Sequence, residues 1–483
     1  MELLLVLGLP IAGSVALAVA GARRHAPEIS AGASLATLLA AALLAVREVR
    51  SGPLLLWHEQ FFVDSFNIFL VLLTAFVGFT TATFSRSYMR AEQLHRKLSA
   101  RRLRLYHSMF QLFMGAMLTA LLTNNMGLLW VAMEAATLST VLLVSLYKTK
   151  ASLEAAWKYF ILCGVGIAQA LFGTILLYSA AARILGHEGM SALLWTHLYA
   201  VRAGLEPAVV GLAFAFLLVG YGTKVGLAPL HNWLPDAHSE GPAPVSAVLS
   251  GLLLNVALYA VIRAKTLATG SIGPLLPGRA LMAFGLLSAV LGSLFLWRQR
   301  DIKRLFGYSS IEHMGLITFA FGIGGPIANF AALLHMTAHS LTKSSIFFTA
   351  GDAAQTAGTQ QMEEIRGLVR TSPALGWGLL LGSLAILGMP PFGVFASEFL
   401  ILTTTMREHP WAAPVLLLVL ALAFAGIFSK VQPMAFGENF APQPPRPHAL
   451  TPVYVHLALV LTLGIYIPPV LAGWYHAAAQ LIG

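Results

Sequence analysis

A single cysteine, Cys163, stands among 483 residues. It cannot form an internal disulfide or the usual four-cysteine iron–sulfur site, so any redox chemistry has to lie in another chain. Charge is almost as scarce. Only 10% of the residues are Asp, Glu, Lys or Arg, where a soluble domain carries about 25%. The hydrophobic fraction is 57% and the mean hydropathy +0.76, which excludes an ordinary soluble fold and indicates an all-α, multi-pass integral membrane protein. The absence of a cofactor-binding motif argues against a quinone or hydrogen enzyme acting alone. The net charge of +10 does not require a nucleic-acid partner. The lysines and arginines lie in loops beside apolar spans, as basic loops facing the cytoplasm would.

About twenty apolar residues cross a bilayer as a helix, and the hydrophobic pattern predicts about fourteen spans. The first six cover residues 3–21, 29–46, 65–84, 105–123, 126–147 and 155–182. A broken seventh is followed by an eighth over 245–264, then 279–297, 308–323 and 328–350. A broken twelfth is interrupted at residues 389–393, and the last two cover 412–430 and 453–478. Glu2, rather than a positive charge, precedes the first apolar run, so it reads as a retained helix and not a cleaved signal. The most basic loop is expected over 86–104. With the N-terminus outside, the inward loops hold 19 lysines and arginines and the outward loops 8, in keeping with the positive-inside rule. Both termini are then expected outside.

The chain is organised around GYGTKVGLAPLHNWLPDAHSEGPAPVS, residues 220–246. Pro229, Pro235, Pro242 and Pro244 each lack an N–H and clash with the preceding turn. A helix broken at membrane depth has to be buried in protein or line a wet cavity, because its freed backbone groups need partners. Lys224 at such a break is a functional candidate, and His231, Asp236, His238 and Glu240 follow it. Five spans later the Pro-broken twelfth carries Glu398 in GVFASEF. Span five carries Glu134 and span ten Glu312, again five apart. An odd number of helices per repeat inverts its orientation, and paired broken helices point to an inverted-repeat transporter. The expected organisation is residues 1–104 (spans one to three), 105–265 and 279–432 (two inverted five-helix repeats), and 433–483 (a loop and the last span).

Several other residues could move protons. Glu134, in WVAMEAATLST, is a candidate partner for Lys224, since an opposite charge stabilises a buried ammonium; a purely structural ion pair has the same geometry. His335, His339 and Lys343 recur every four residues and form one polar stripe on a helix, with Ser340 and Ser344 beside it. Histidine titrates near neutrality, which suits a proton relay. A zinc site is disfavoured there, because neither glutamate nor cysteine in that stretch completes a ligand set. Glu312 and His313, in YSSIEHMG, read either as relay residues or as a first-turn cap on the helix dipole. Glu154 and Lys158 form an ordinary i, i+4 pair that could feed the Glu134 region. Asp64 and Glu59 read as interfacial, and Trp57, Trp195, Trp233, Trp411 and Trp474 as membrane-interface aromatics.

At TKVGLAPLHNWLPDAHSEGPAPVSA, WVAMEAATLST and HMTAHSLTKSS the chain resembles the proton-translocating antiporter-like subunits. These include membrane subunits of respiratory complex I, multisubunit cation/proton antiporters and energy-converting hydrogenases. The similarity extends from about Leu56 to Phe436, and SSIEHMG and SGLLLNVALY look most like the F subunit of hydrogenase-4-type complexes. The resemblance implies a fourteen-helix fold with two inverted repeats. It also implies that Glu134 and Lys224 form a pair, that His335, His339 and Lys343 form a central relay, and that Glu398 is the terminal site. One departure stands out: complex I relatives often carry lysine or histidine where this chain has Asn255. The link between Lys224 and the stripe would then rely on water.

The expected function is therefore a proton-translocating membrane subunit of a hydrogenase-4-, formate-hydrogenlyase- or complex I-like assembly in a bacterial cytoplasmic membrane. No cofactor or metal is expected in this chain. Nickel–iron and iron–sulfur centres are expected in soluble partner subunits, beside further membrane subunits. The alternatives are a cation/proton antiporter or inorganic-carbon uptake subunit, and a non-conducting membrane scaffold for soluble redox subunits.

Overall fold

The structure is a computed structural model that describes residues 1–94, 98–186, 189–438 and 449–483. The expected linker around residues 441–448 and part of the expected basic loop lie outside the described residues. The chain is almost wholly helical. It opens with α1 (Glu2–Ala20) and α2 (Ala26–Ser51), then a hairpin of β1 (Leu54–Leu56) and β2 (Phe61–Val63). There follow α3 (Ser65–Leu94), α4 (Ala100–Leu122), α5 (Met126–Val144), α6 (Lys150–Leu185) and the short α7 (Trp195–Val201). The broken segment comprises α8 (Pro207–Val225), α9 (Trp233–Glu240) and α10 (Ala243–Val248), and leads into α11 (Leu254–Ile272). Next come α12 (Leu275–Leu296), α13 (Ile302–Ile323), α14 (Gly325–Ala357) and α15 (Leu368–Thr371). The second broken helix is α16 (Pro373–Ile386) with α17 (Gly393–Glu408), and α18 (Ala413–Phe436), α19 (Thr451–Ile465) and α20 (Pro469–Ile482) complete the chain.

Side chains start several of these helices by accepting from free first-turn N–H groups. Asn125 accepts from Gly127 N and Leu128 N, Thr149 from Ser152 N, and Asp301 from Arg304 N. The Asp301 cap corrects the reading of Glu312 as a first-turn residue. Helix α13 begins at Ile302, polar residues and all, which puts Glu312 in its middle and 1% exposed. Helix α3 likewise runs on past Phe84 to Leu94, so Arg86 and Arg90 are helical and both pair with Glu28.

Both predicted breaks are present. At the first, Gly226 closes α8 in the left-handed region at φ 80°, where a residue without a Cβ is unstrained. The backbone groups released there are satisfied inside the protein: Trp233 Nε1 donates to Thr223 O at 2.8 Å and Ala228 N to Ser288 Oγ at 2.8 Å. At the second, Gly388 has φ 65° and Pro390-Pro391 follows. Two further irregularities were not foreseen. A π-helical turn over Leu249–Leu253 joins α10 to α11. The expected last span is bent by 70° between α19 and α20, where Pro468 and Pro469 cannot continue a helical ladder.

Among the described residues, ten helices are long and apolar enough to cross a membrane, or eleven with the bent α19–α20 pair as one. Helices α13 and α14, with 22 and 33 residues, fall outside that set although their middles are buried. The polar groups that lower their hydropathy face other helices rather than lipid. Small residues allow the closest packing, as is usual between helices in lipid. A Cβ on Gly285 would lie 2.4 Å from Phe319 N, and one on Gly220 would lie 2.6 Å from Gly166 O. These positions lock α12 onto α13 and α8 onto α6.

Candidate functional site

Lys224 lies in the last turn of α8 and is fully buried. Its Nζ makes no hydrogen bond, and it sits 5.9 Å from the centroid of the Tyr159 ring. Glu134 of α5 and Cys163 of α6 are within electrostatic reach, but no ion pair joins Lys224 to Glu134. The structural-tie reading of that pair therefore has no direct contact behind it. Lys343 of α14 is placed much as Lys224 is: fully buried, 5.7 Å from the Phe306 ring, and donating to Phe306 O at 3.1 Å.

Asn255 is the second residue of α11, directly after the π-helical segment. Its Nδ2 donates to Ser340 Oγ at 2.8 Å and to Met336 O at 3.1 Å, both on α14. Ser340 Oγ in turn donates to Gly251 O. The approach is close because residue 251 is glycine: a Cβ there would lie 2.7 Å from Ser344 Oγ. Asn255 Oδ1 has no protein partner, so it is the one polar atom of this side chain left for water.

His335, His339 and Lys343 all lie on α14 and are fully buried, as their spacing predicts. His339 has no hydrogen-bond partner at either ring nitrogen. His335 is tied on both sides, through Nδ1 to Ser397 Oγ at 2.9 Å and through Nε2 to His313 Nδ1 at 3.0 Å. His313 Nε2 lies 3.2 Å from Glu312 Oε2, and its Nδ1 lies 3.8 Å from Glu398 Oε1. Glu398 on α17 is covered by the backbone of the second break; a Cβ on Gly388 would overlap its Oε2. Three helices thus bring together residues 312, 313, 335 and 398.

The remaining sequence-predicted residues are placed differently. Glu154 and Lys158 pair at 2.7 Å, yet Lys158 also reaches Asp236 at 3.2 Å, and Asp236 pairs with Arg304 at 2.8 Å. This network pins α9 between α6 and α13 and makes no ion pair with Glu134. His238 is fully buried, stacks on Phe347 and lies within electrostatic reach of Lys303 and Lys343. His231 is buried against Phe295 and Tyr308, and its Nδ1 is unpartnered.

The bland reading of Asp64 is overturned. Asp64 is 4% exposed, caps α3 by accepting from Phe66 N and Asn67 N, and accepts from Arg263 Nη2 at 2.7 Å. Arg263 itself is 3% exposed, near the end of the expected eighth span. It is enclosed by the rings of Trp195, Tyr259, Phe66 and Phe62. Trp195, Trp233 and Trp474 are accordingly buried hydrogen-bonding residues rather than interface aromatics, donating to Arg263 O, Thr223 O and Glu48 Oε2. Trp57 and Trp411 are exposed.

Residues 123–424 match the membrane-subunit family described as NADH:quinone oxidoreductase/Mrp antiporter, TM. The chain belongs to this family. Within it, the chain is 52% identical over 422 residues to a hydrogenase-4 component F homolog from Methylacidiphilum infernorum, covering 87% of this chain and 88% of that protein. Its fold matches a chain of an archaeal membrane-bound sulfane sulfur reductase with a TM-score of 0.89, at 24% identity, over 100% of this chain and 98% of the other. A chain of respiratory complex I from Thermus thermophilus matches with a TM-score of 0.75 and 26% identity, over 95% and 97% of the two chains. Each of these solved relatives is part of a multisubunit membrane complex, and the family membership makes this chain a multi-pass, antiporter-like membrane subunit.

Proposed function

We propose that this chain is the proton-translocating subunit of a hydrogenase-4- or complex I-like redox assembly, coupling electron transfer in partner subunits to proton movement. The observation that carries the reading is the buried series Lys224, Asn255, Lys343, His339, His335, His313 and Glu398, which passes from α8 to α17. Ionisable groups at membrane depth are costly to bury and mark ion pathways. Several of these lack a permanent protein partner, as groups that exchange protons with water must at some point in a cycle.

In this reading Lys224 is the switchable site and Glu134 modulates it through space. Hydrated Asn255 links it to the stripe on α14, and Glu398 is the terminal site. His231, His238, Asp236, Glu154 and Lys158 line the approach at the first break. Residues 105–265 and 279–432 act as two inverted repeats, each with a mid-helix glutamate, a broken helix and a buried lysine. The redox centres, nickel–iron and iron–sulfur, belong to soluble partners, and the assembly resides in a bacterial cytoplasmic membrane. The similarity to a hydrogenase-4 F homolog favours this over a stand-alone cation/proton antiporter, and the unpaired buried lysine weighs against an inert scaffold.

The test is proton pumping by the assembled complex in sealed vesicles. Lys343→Met is expected to lower coupled pumping at least tenfold while the complex still assembles. Undiminished pumping by a correctly assembled variant would make the stripe structural.

A further inference from the structure

The His313–His335 contact poses a problem of lone pairs. Ser397 Oγ already donates to backbone carbonyls at 2.8 and 3.2 Å, so in its bond with His335 Nδ1 the serine oxygen accepts. Nδ1 therefore carries the ring hydrogen, and in a neutral imidazole Nε2 is bare. On α13, Glu312 Oε2 lies 3.2 Å from His313 Nε2 but accepts no hydrogen bond. His335 Nε2 faces His313 Nδ1 at 3.0 Å. A hydrogen on His313 Nδ1, or a cation bound by both nitrogens, satisfies this contact.

We propose that His313 Nδ1, His335 Nε2 and the Glu398 carboxylate form a binding site for a divalent cation of the zinc class. The three donor atoms lie within 4.8 Å of one another, and Glu398 Oε1, buried with no hydrogen-bond partner, is aimed at His313 Nδ1. Two imidazole nitrogens and one carboxylate suit zinc, which leaves a fourth position for water. Tetrahedral bonds of about 2.05 Å set two nitrogen ligands about 3.3 Å apart, close to the observed separation. The outer shell is also built. Metal-bound histidines hold their second nitrogen with a carboxylate or another acceptor; Ser397 takes that place for His335, and the Glu312 carboxylate lies 3.2 Å from His313 Nε2. The exposed Met389–Pro391 segment of the second break lies close to Glu398 in the chain, and Gly388 packs against the carboxylate.

Binding rests on this geometry alone. Its consequence, that zinc stops proton passage to Glu398, rests on the function proposed above, so binding and pumping are measured separately. The full-length chain in mild detergent is titrated with zinc chloride, and the loaded protein is examined by zinc X-ray absorption. One equivalent is expected, with two imidazole nitrogens in the first shell. Glu398→Gln and His335→Gln should each raise Kd by about 100-fold, and Glu312→Gln by about 10- to 100-fold as an outer-shell change. His25→Gln, at an exposed histidine, should leave Kd unchanged. The absorption spectrum of the unsubstituted chain needs no variant to fold. Failure to bind, a first shell without imidazole, or binding indifferent to Glu398→Gln and His335→Gln would overturn the site and leave an ordinary hydrogen bond between the two rings. Zinc that binds as described but leaves pumping untouched would keep the site and count against the route through Glu398.

Discussion

Asn255 Nδ2 donates to Ser340 Oγ across 2.8 Å, and this contact joins the helix after the first break to the helix that carries the histidine stripe. The bond is made by a side chain that cannot titrate. A lysine or histidine here would store a proton; asparagine can only offer two donors and an acceptor. Because Nδ2 is committed to α14 and Oδ1 is open, the junction is fixed on one side and available to water on the other.

Asn255→Leu should therefore uncouple the two halves. The leucine removes the donor to Ser340 and gives nearby water no partner, and a buried water needs two to four. Pumping in sealed vesicles is expected to fall at least tenfold at every pH. Asn255→Asp keeps the polar surface but adds an ionisable group, so its pumping should differ from the parent mainly in pH dependence. Parental pumping by Asn255→Leu across the whole pH series would mean that protons bypass this junction.

The buried pair of Arg263 and Asp64 makes a stability prediction. Removing one partner of a buried ion pair leaves the other charged and unpaired, at a cost of about 3–5 kcal/mol. Arg263→Leu should lower the unfolding temperature sharply, whereas Arg263→Leu with Asp64→Leu should cost less than the sum of the single changes. Cys163, wholly buried, reports unfolding through its reaction with a thiol dye during a thermal ramp. Additive single and double changes would show that the two groups do not act as a pair.

The loop charges predict orientation. Ser99 caps α4 through its side chain and is exposed, and the charge bias puts it in the cytoplasm. Ser99→Cys should resist a membrane-impermeant thiol reagent in intact cells and react once the membrane is opened. Buried Cys163 should contribute little background. Efficient labelling in intact cells would reverse the topology.

Composition, periodicity and proline positions were enough to establish a membrane protein of many helices, the two principal breaks, and the stripe of residues 335, 339 and 343. Each is a local property: hydropathy sets the spans, missing N–H groups set the breaks, and a four-residue spacing sets a face. Local reasoning failed where a helix started or bent for reasons outside the hydrophobic count. The first-turn alternative for Glu312 fails because α13 begins in polar residues, and the π turn at Leu249–Leu253 has no periodic signature. Only the tertiary structure could decide partners. Arg263 and Asp64 are 199 residues apart, and each alone resembles an interfacial charge. The stripe lacks a carboxylate in its own sequence because Glu398 arrives on α17 and His313 on α13. Burial in hydrocarbon forces such groups to find one another across helices, and no single stretch of chain contains that information.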